Sequence, residues 1–288
     1  MLAIYKRELR AYFTSFLGWL FIAFLCAVCG IYAMVNCFKN GTPNFERVLY
    51  YICFLFIIAI PILTMRCLAE DRKQKTDTLL YALPLGMPRV VIGKYLAALT
   101  VFACPVLVFC LYPPILAQYG TVSYSASYCG ILGYFFLGAA LIAMGVFASS
   151  ITDSQVVAAV ACFALVLISY LMSSLAYYLS STGFASLCAF AVLFVLLGLL
   201  IRFMTHSTGF AVGVACAGIL VCGVCYFFNA AWFEGLFPRI MSSLSVFDRF
   251  SAFVYGSLDL TAIVFDLTVI VLFLFFAASA MEKRRWSE

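Results

Sequence analysis

Apolar stretches long enough to cross a lipid bilayer recur along the whole of this sequence. A spanning helix needs about 20 mainly apolar residues, and only a helix or a closed barrel satisfies its backbone polar groups inside lipid. We therefore predict an all-α membrane bundle of about eight transmembrane helices, described as six plus an extra pair. The predicted spans are residues 16–38, 48–67, 90–117, 125–149, 155–179, 184–201, 207–229 and 260–281.

The composition excludes a soluble protein of this size. Hydrophobic residues make up 66% of the chain and charged residues only 10%, whereas soluble domains carry roughly a quarter charged residues. The net charge of +5 does not indicate nucleic-acid binding, because the basic residues cluster at the ends of the apolar stretches. Cys26 and Cys29 have a CxxC spacing but lie in an apolar run without His or acidic neighbours, so we expect no metal or redox site there.

The distribution of basic residues predicts which side of the membrane holds the termini. Lys and Arg accumulate on the cytoplasmic side of membrane proteins. An even number of spans puts both termini on one side, together with Lys6, Arg7, Arg10, Arg66, Arg72, Lys73, Lys75, Arg89, Lys94, Arg202, Lys283, Arg284 and Arg285. The other side has Lys39, Arg47, Arg239 and Arg249. We expect an integral protein of the plasma (cytoplasmic, inner) membrane with both termini cytoplasmic. A six-span alternative, in which 184–229 form a re-entrant pair, keeps this orientation.

The segments between the spans are short, so we expect one transmembrane domain over residues 1–288. Residues 1–13 read as an amphipathic helix on the membrane surface. Residues 230–258 alternate aromatic and charged side chains and are expected to cap the outer leaflet. The hydroxyl side chains of Ser149, Ser150 and Thr152 are expected to cap the helix that begins near Ser154.

The cytoplasmic segment 66–89 has the densest run of charges. Acidic and basic residues are followed by an apolar turn that Pro84 stops. Such a helix either docks on a soluble partner or is a solvated loop, and its physical chemistry alone leaves both possibilities open. The candidate site residues are Glu70, Asp71, Arg72, Lys75, Thr76, Asp77, Leu80, Leu83 and Pro84.

This segment resembles the coupling region of ABC-2 type ABC transporter permeases. In that family charged residues precede a Gly-Thr-Xaa-Glu-Xaa-Leu-type helix, and Leu-Pro and Gly-Lys follow. The positions that match are Glu70, Arg72, Thr76, Leu80, Leu83-Pro84 and Gly93-Lys94. Lys75 stands where the family usually has Gly, and Asp77 replaces the usual Glu.

Three further segments resemble the same family in the same order. Residues 6–18 are similar to the entry helix and turn of gliding-motility-type permeases, with Phe16 in place of Pro. Residues 148–159 resemble the tight cytoplasmic turn of the family, and residues 253–286 resemble its last span.

The resemblance implies a membrane permease of an ABC transporter, most simply an exporter, rather than an enzyme. It implies cytoplasmic ABC ATPase subunits and a second permease chain as partners, within membrane lipid. ATP and Mg²⁺ are expected on the ATPase, with no cofactor in this chain. A phosphate-binding loop needs four residues between its glycines and Ser or Thr after Lys. Gly86 and Gly93 instead have six residues between them, and Tyr95 follows Lys94.

Asp266 is the clearest ionisable residue deep inside a predicted span. It lies seven residues after Asp259, so both are on one helix face. We expect Asp266 to face protein or water, either as a structural clasp paired with Arg249 or a hydroxyl, or as a pathway residue. Two alternative functions remain at this stage: a secondary transporter, or a membrane anchor or assembly factor that uses the same ATPase. The sequence indicates no substrate.

Overall fold

The computed structural model describes residues 1–39, 41, 43–73, 86–178, 182–205, 213, 216–218, 220, 223, 226 and 233–285. Every regular element in these ranges is a helix. This confirms the predicted all-α class of a polytopic membrane bundle.

The first half of the chain forms seven helices within the described ranges. They are α1 (Leu2–Thr14), α2 (Phe16–Ala33, extended by a π-helical stretch Met34–Lys39), α3 (Phe45–Ile52), α4 (Phe56–Thr64), α5 (Ala69–Lys73), α6 (Met87–Phe109) and α7 (Tyr112–Leu116). Those that follow are α8 (Tyr124–Ile151), α9 (Gln155–Tyr178), α10 (Gly183–Thr205), α11 (Leu236–Leu244), α12 (Val246–Val254) and α13 (Leu260–Arg285).

Six stretches of the described chain are long and apolar enough to cross a membrane. They are Phe16–Lys39, Phe45–Lys73, Met87–Leu116, Tyr124–Ile151, Gln155–Ala176 and Leu260–Arg284. Each coincides with one of the eight predicted spans. Of the predicted extra pair, residues 184–201 fall within α10, and most of 207–229 lies outside the described residues.

The third span breaks where two consecutive prolines begin a new helix. α6 ends at Phe109, and α7 starts at Tyr112 with Pro113 in its first turn. Proline is tolerated there because the first N–H groups of a helix have no intrahelical acceptor. Pro105 remains inside α6 and does not end that helix.

The described chain divides into two compact units. The first comprises Met1–Tyr170 with Val246–Glu288, and the second comprises Leu171–Ser245. The second contains α10 and α11, joined by an edge-to-face ring contact of 5.2 Å between Phe190 and Phe237. The residues predicted to form one outer segment, 230–258, therefore include two helices that belong to different units, α11 and α12.

Aromatic side chains fill the centre of the first unit. Tyr134 of α8 is fully buried, and its ring lies 4.5 Å from Phe56, 5.8 Å from Phe109 and 6.3 Å from Phe250. Ring pairs at these spacings each contribute about 0.5–1.5 kcal/mol beyond the area they bury. This cluster joins α4, α6 and α12 to α8.

Glycines let neighbours pack directly on α8, which is the most buried of the six candidate spans. A Cβ atom on Gly133 would lie 2.5 Å from the ring of Phe253. One on Gly138 would lie 2.3 Å from the ring of Phe102. In lipid the hydrophobic effect contributes little to the association of helices. Membrane helices therefore commonly use small residues at their contacts, which allow close van der Waals packing.

Candidate functional site

Charged side chains from four helices and from the turn after α8 meet at the end of the bundle that carries α1 and the C-terminal end of α13. We call this group the terminal charged cluster. Its members are Arg7, Glu8, Asp71, Arg72, Lys94, Asp153 and Arg284.

Lys94 is the buried centre of the terminal charged cluster, with only 2% of its side chain exposed. Its Nζ lies 2.6 Å from Oδ2 of Asp71 and 3.0 Å from Oε1 of Glu8. The same ammonium donates a hydrogen bond of 2.5 Å to the backbone oxygen of Cys67. A buried charge is strongly unfavourable unless it is paired and hydrogen-bonded. The three partners meet that requirement and tie α1, α5 and α6 to one point.

The packing of α1 explains why Glu8 reaches Lys94. Ile4 lies within 3.4 Å of the position that a Cβ on Gly93 would occupy, so α1 rests closely on α6. Further along, the hydroxyl of Tyr12 donates to the backbone oxygen of Leu63 at 3.1 Å. Burial raises the pKa of the Tyr12 hydroxyl well above its usual value, so this group stays a neutral donor.

Two arginines bind the exposed carbonyl groups at the C-terminal end of α8. Arg72, with 5% of its side chain exposed, donates to the backbone oxygens of Ser150 and Thr152, the latter at 2.9 Å. Arg284 donates to the oxygen of Ile151 at 2.6 Å. The last carbonyl groups of a helix lack intrahelical donors, and the negative end of the helix dipole attracts cations. Asp153 contacts both guanidinium groups.

The prediction that the hydroxyl groups at the end of α8 cap the following helix is wrong. Ser149 Oγ accepts hydrogen bonds of 3.0 Å from the backbone N–H groups of Leu68 and Ala69, so it caps the start of α5. The hydroxyls of Ser150 and Thr152 donate back into their own helix. None of these four hydrogen bonds reaches the helix that begins at Gln155, because the end of α8 packs against α5 instead.

The structure describes three of the residues predicted for the coupling segment. Glu70 has 35% of its side chain exposed and lies 3.8 Å from Arg66. Asp71 and Arg72 instead make the internal contacts described above. The remaining predicted residues lie outside the described ranges: Lys75, Thr76, Asp77, Leu80, Leu83 and Pro84.

Five members of the terminal charged cluster are absent from the predicted site. They are Arg7, Glu8, Lys94, Asp153 and Arg284. A signal for Lys94 was present, because an ionisable residue eight positions inside the span Met87–Leu116 is rarely left without a partner. The sequence does not indicate the partners of Lys94, since Glu8 is 86 residues away along the chain.

Asp266 lies in α13 with 3% of its surface exposed. Within the described part of the chain, its Oδ1 is buried and has no hydrogen-bond partner. The guanidinium carbon of Arg249 lies 4.1 Å from the ring centroid of Phe265, an arrangement that stabilises a cation over an aromatic face. The expected hydrogen-bonded clasp is therefore not formed at Oδ1 among these residues.

Asp259 stands at the N-terminal start of α13. Its Oδ1 accepts a hydrogen bond of 2.9 Å from the backbone N–H of Thr261. Hydrogen bonding to Thr261 lowers the pKa of the Asp259 carboxyl below its usual value. Asp259 thus caps α13, as its position in the sequence indicates.

A comparison with protein families agrees with this architecture. A family model described as "ABC-2 family transporter protein" matches residues 12–212. No curated relative matches the chain. Because the family match spans more than half of the chain and includes five of its six candidate spans, the chain belongs to the ABC-2 transporter family and is a membrane permease subunit of an ABC transporter.

Proposed function

We propose that this permease works in an exporter driven by separate cytoplasmic ATPase subunits that dock on the segment 66–89. One observation carries the proposal: Asp71, near the start of that segment, is ion-paired with Lys94, which lies five residues after its end. Asp71 in α5 and Lys94 in α6 are 2.6 Å apart, and the chain between these helices includes residues 74–85. A partner that displaces residues 74–85 would pull on the Asp71–Lys94 ion pair.

The Asp71–Lys94 ion pair is connected to helices that would have to move during transport. Glu8 connects it to α1, and the neighbouring Arg72 connects it to the end of α8. Removing one member of a buried ion pair costs about 3–5 kcal/mol. The cluster is therefore expected to move as a unit, which is what coupling to a partner requires.

Charge and family membership support the orientation and the partners. The basic residues concentrate at the end that holds the terminal charged cluster, which the positive-inside rule makes cytoplasmic. ATP and Mg²⁺ would bind the ATPase, and a second permease chain would complete the pathway. We also propose that the chain is a gliding-motility-type permease and that it lies in the plasma membrane.

The exposed residues of the segment are the expected contacts with the ATPase. Glu70 is partly exposed, and charges at the rim of an interface guide the approach of a partner. Asp77 and the apolar residues Leu80 and Leu83 would complete that surface. Asp71 and Arg72 would support it from inside the permease.

The test is affinity purification of the tagged chain from its native membranes in mild detergent, followed by measurement of ATP hydrolysis. The wild-type preparation should hydrolyse ATP through a co-purifying ATPase, and the pure chain should not. Glu70→Lys combined with Asp77→Lys should lower the co-purifying activity by about tenfold.

Glu282→Lys is the matched control, because it reverses an exposed carboxylate of α13 outside the segment. Its preparation should match wild type in ATP hydrolysis. Stoichiometric hydrolysis by the pure chain would contradict the proposal, and so would full co-purification with the double variant.

A further inference from the structure

A polar cavity of about 250 Å³ lies between the end of α1, the start of α2 and the turn that follows α4. The charged residues that line it are Glu8, Arg66 and Glu70, and Ser15 lies between α1 and α2. This cavity borders the terminal charged cluster, whose member Glu8 forms part of its wall.

One side of the cavity suits a phosphate group. Arg66 donates from Nη1 to Ser15 Oγ at 3.2 Å, while its buried Nε has no hydrogen-bond partner within the described residues. A guanidinium presents several donors in a plane and matches phosphate oxygens. Ser15 is also the N-cap of α2, an 18-residue helix whose positive dipole end is directed to this place.

The other side of the cavity suits a cation. Glu8 and Glu70 both line it, and Oε2 of Glu70 lies 3.8 Å from Nε of Arg66. The carboxylates of Glu8 and Glu70 would repel a ligand that is only an anion. The guanidinium of Arg66 would repel a ligand that is only a cation. A ligand with a phosphate and an ammonium a short distance apart satisfies both sides.

The surface next to the cavity indicates that such a ligand has lipid chains. Phe16 is 79% exposed, and Trp19 and Leu20 are also exposed on the same first turns of α2. Trp19 donates to the backbone oxygen of Phe13 at 2.8 Å, and Trp is typical of the boundary between water and hydrocarbon. The polar cavity and the apolar helix face thus adjoin at the level where lipid headgroups lie.

We propose that this cavity binds the headgroup of a glycerophospholipid that carries phosphoethanolamine. The phosphate lies against Arg66 and the start of α2, the ammonium donates to Glu70, and the acyl chains follow α2. The proposal concerns the chain alone and does not depend on the ATPase.

Native mass spectrometry of the purified chain with competing lipids tests the proposal. Phosphatidylethanolamine, phosphatidylcholine and phosphatidylglycerol with identical acyl chains are offered at equal concentration. Phosphatidylethanolamine should be retained most, because the choline group has no N–H to donate and the glycerol group has no positive charge. Soluble O-phosphoethanolamine at the same concentration should not displace it, since it lacks the acyl chains.

Arg66→Gln should lower retention of phosphatidylethanolamine by about tenfold, the effect of one lost charged hydrogen-bond contact. Glu70→Gln should reduce the preference for phosphatidylethanolamine over phosphatidylcholine. Ser15→Ala, which keeps every charge, serves if Arg66→Gln does not fold, and it should lower retention to a smaller extent. Arg89→Gln is the control, because Arg89 is exposed at the same end but does not line the cavity.

Three results would overturn the proposal. The first is equal retention by wild type and by the folded Arg66 or Ser15 variant. The second is a preference for phosphatidylglycerol. The third is displacement by equimolar O-phosphoethanolamine, which would assign the cavity to a soluble phosphate compound rather than to a lipid.

Discussion

Lys94 shows how one side chain determines the arrangement of several helices. Its ammonium is buried, and among the described residues the carboxylates of Glu8 and Asp71 and a backbone carbonyl compensate its charge. The two carboxylates in turn rely on Lys94, although Arg7 also contacts both. Loss of the ammonium would leave two acidic groups close together in a poorly solvated place.

Lys94→Met should lower the free energy of unfolding by about 3 kcal/mol, since it leaves two partly buried carboxylates without their central cation. Thermal unfolding in detergent measures this change. Lys283→Met removes an exposed ammonium at the same end and should change the unfolding free energy by less than about 0.5 kcal/mol. A Lys94→Met chain as stable as the Lys283→Met chain would show that the cluster does not hold the helices together.

Asp266 is expected to serve transport rather than stability. Its Oδ1 is buried without a partner among the described residues, and an unsatisfied buried polar group costs about 1–3 kcal/mol. Asp266→Leu should therefore fold at least as stably as wild type while substrate-stimulated ATPase activity of the assembled transporter falls. Asp259→Asn, which keeps a helix-capping side chain, is the control for both measurements.

The opposite pattern would support the structural clasp considered from the sequence. In that case Asp266→Asn would fold and transport normally, and Asp266→Leu would unfold at a lower temperature. An Asp266→Leu chain equal to wild type in both stability and activity would contradict both interpretations.

The helices themselves follow from local sequence, whereas the contacts of their ends do not. Long apolar runs predict six of the spans, and Pro113 marks the break after α6 because its effect is confined to neighbouring residues. The cap of α5 comes from Ser149, 81 residues from Leu68. A hydroxyl group accepts a hydrogen bond from any unpaired N–H that tertiary packing places near it. Local sequence patterns do not predict that packing.

Ser149→Ala should destabilise the connection between α5 and α8. Two backbone N–H groups would lose their acceptor, and loss of a helix cap typically costs about 0.5–2 kcal/mol. Hydrogen–deuterium exchange at Leu68 and Ala69 should accelerate correspondingly. Ser150→Ala is the matched control, because that buried hydroxyl bonds only within its own helix turn and its loss should leave exchange at residues 68–73 unchanged. Equal exchange in the two variants would contradict the capping role.

At the level of the whole molecule, the first unit has the terminal charged cluster at one end and a cluster of aromatic rings in its middle. Composition and basic-residue distribution predict this overall arrangement, because lipid excludes charge from the hydrocarbon layer. The tertiary structure is needed to see which helices meet at the terminal charged cluster. They are α1, α5, α6, α8 and α13. Under the proposed function, the adjoining segment 66–89 is where the ATPase would act on this cluster.

The most direct test of this account is photocrosslinking from the coupling segment in intact membranes. A photoreactive amino acid replaces Leu80, and the same substitution at Ser242 in α11 is the control. We predict that the Leu80 position forms an adduct with a cytoplasmic ABC ATPase, that the yield changes when ATP is added, and that the Ser242 position forms none. Contact of the Ser242 position with the ATPase, or no ATPase adduct from Leu80 beside correctly inserted chain, would contradict the account.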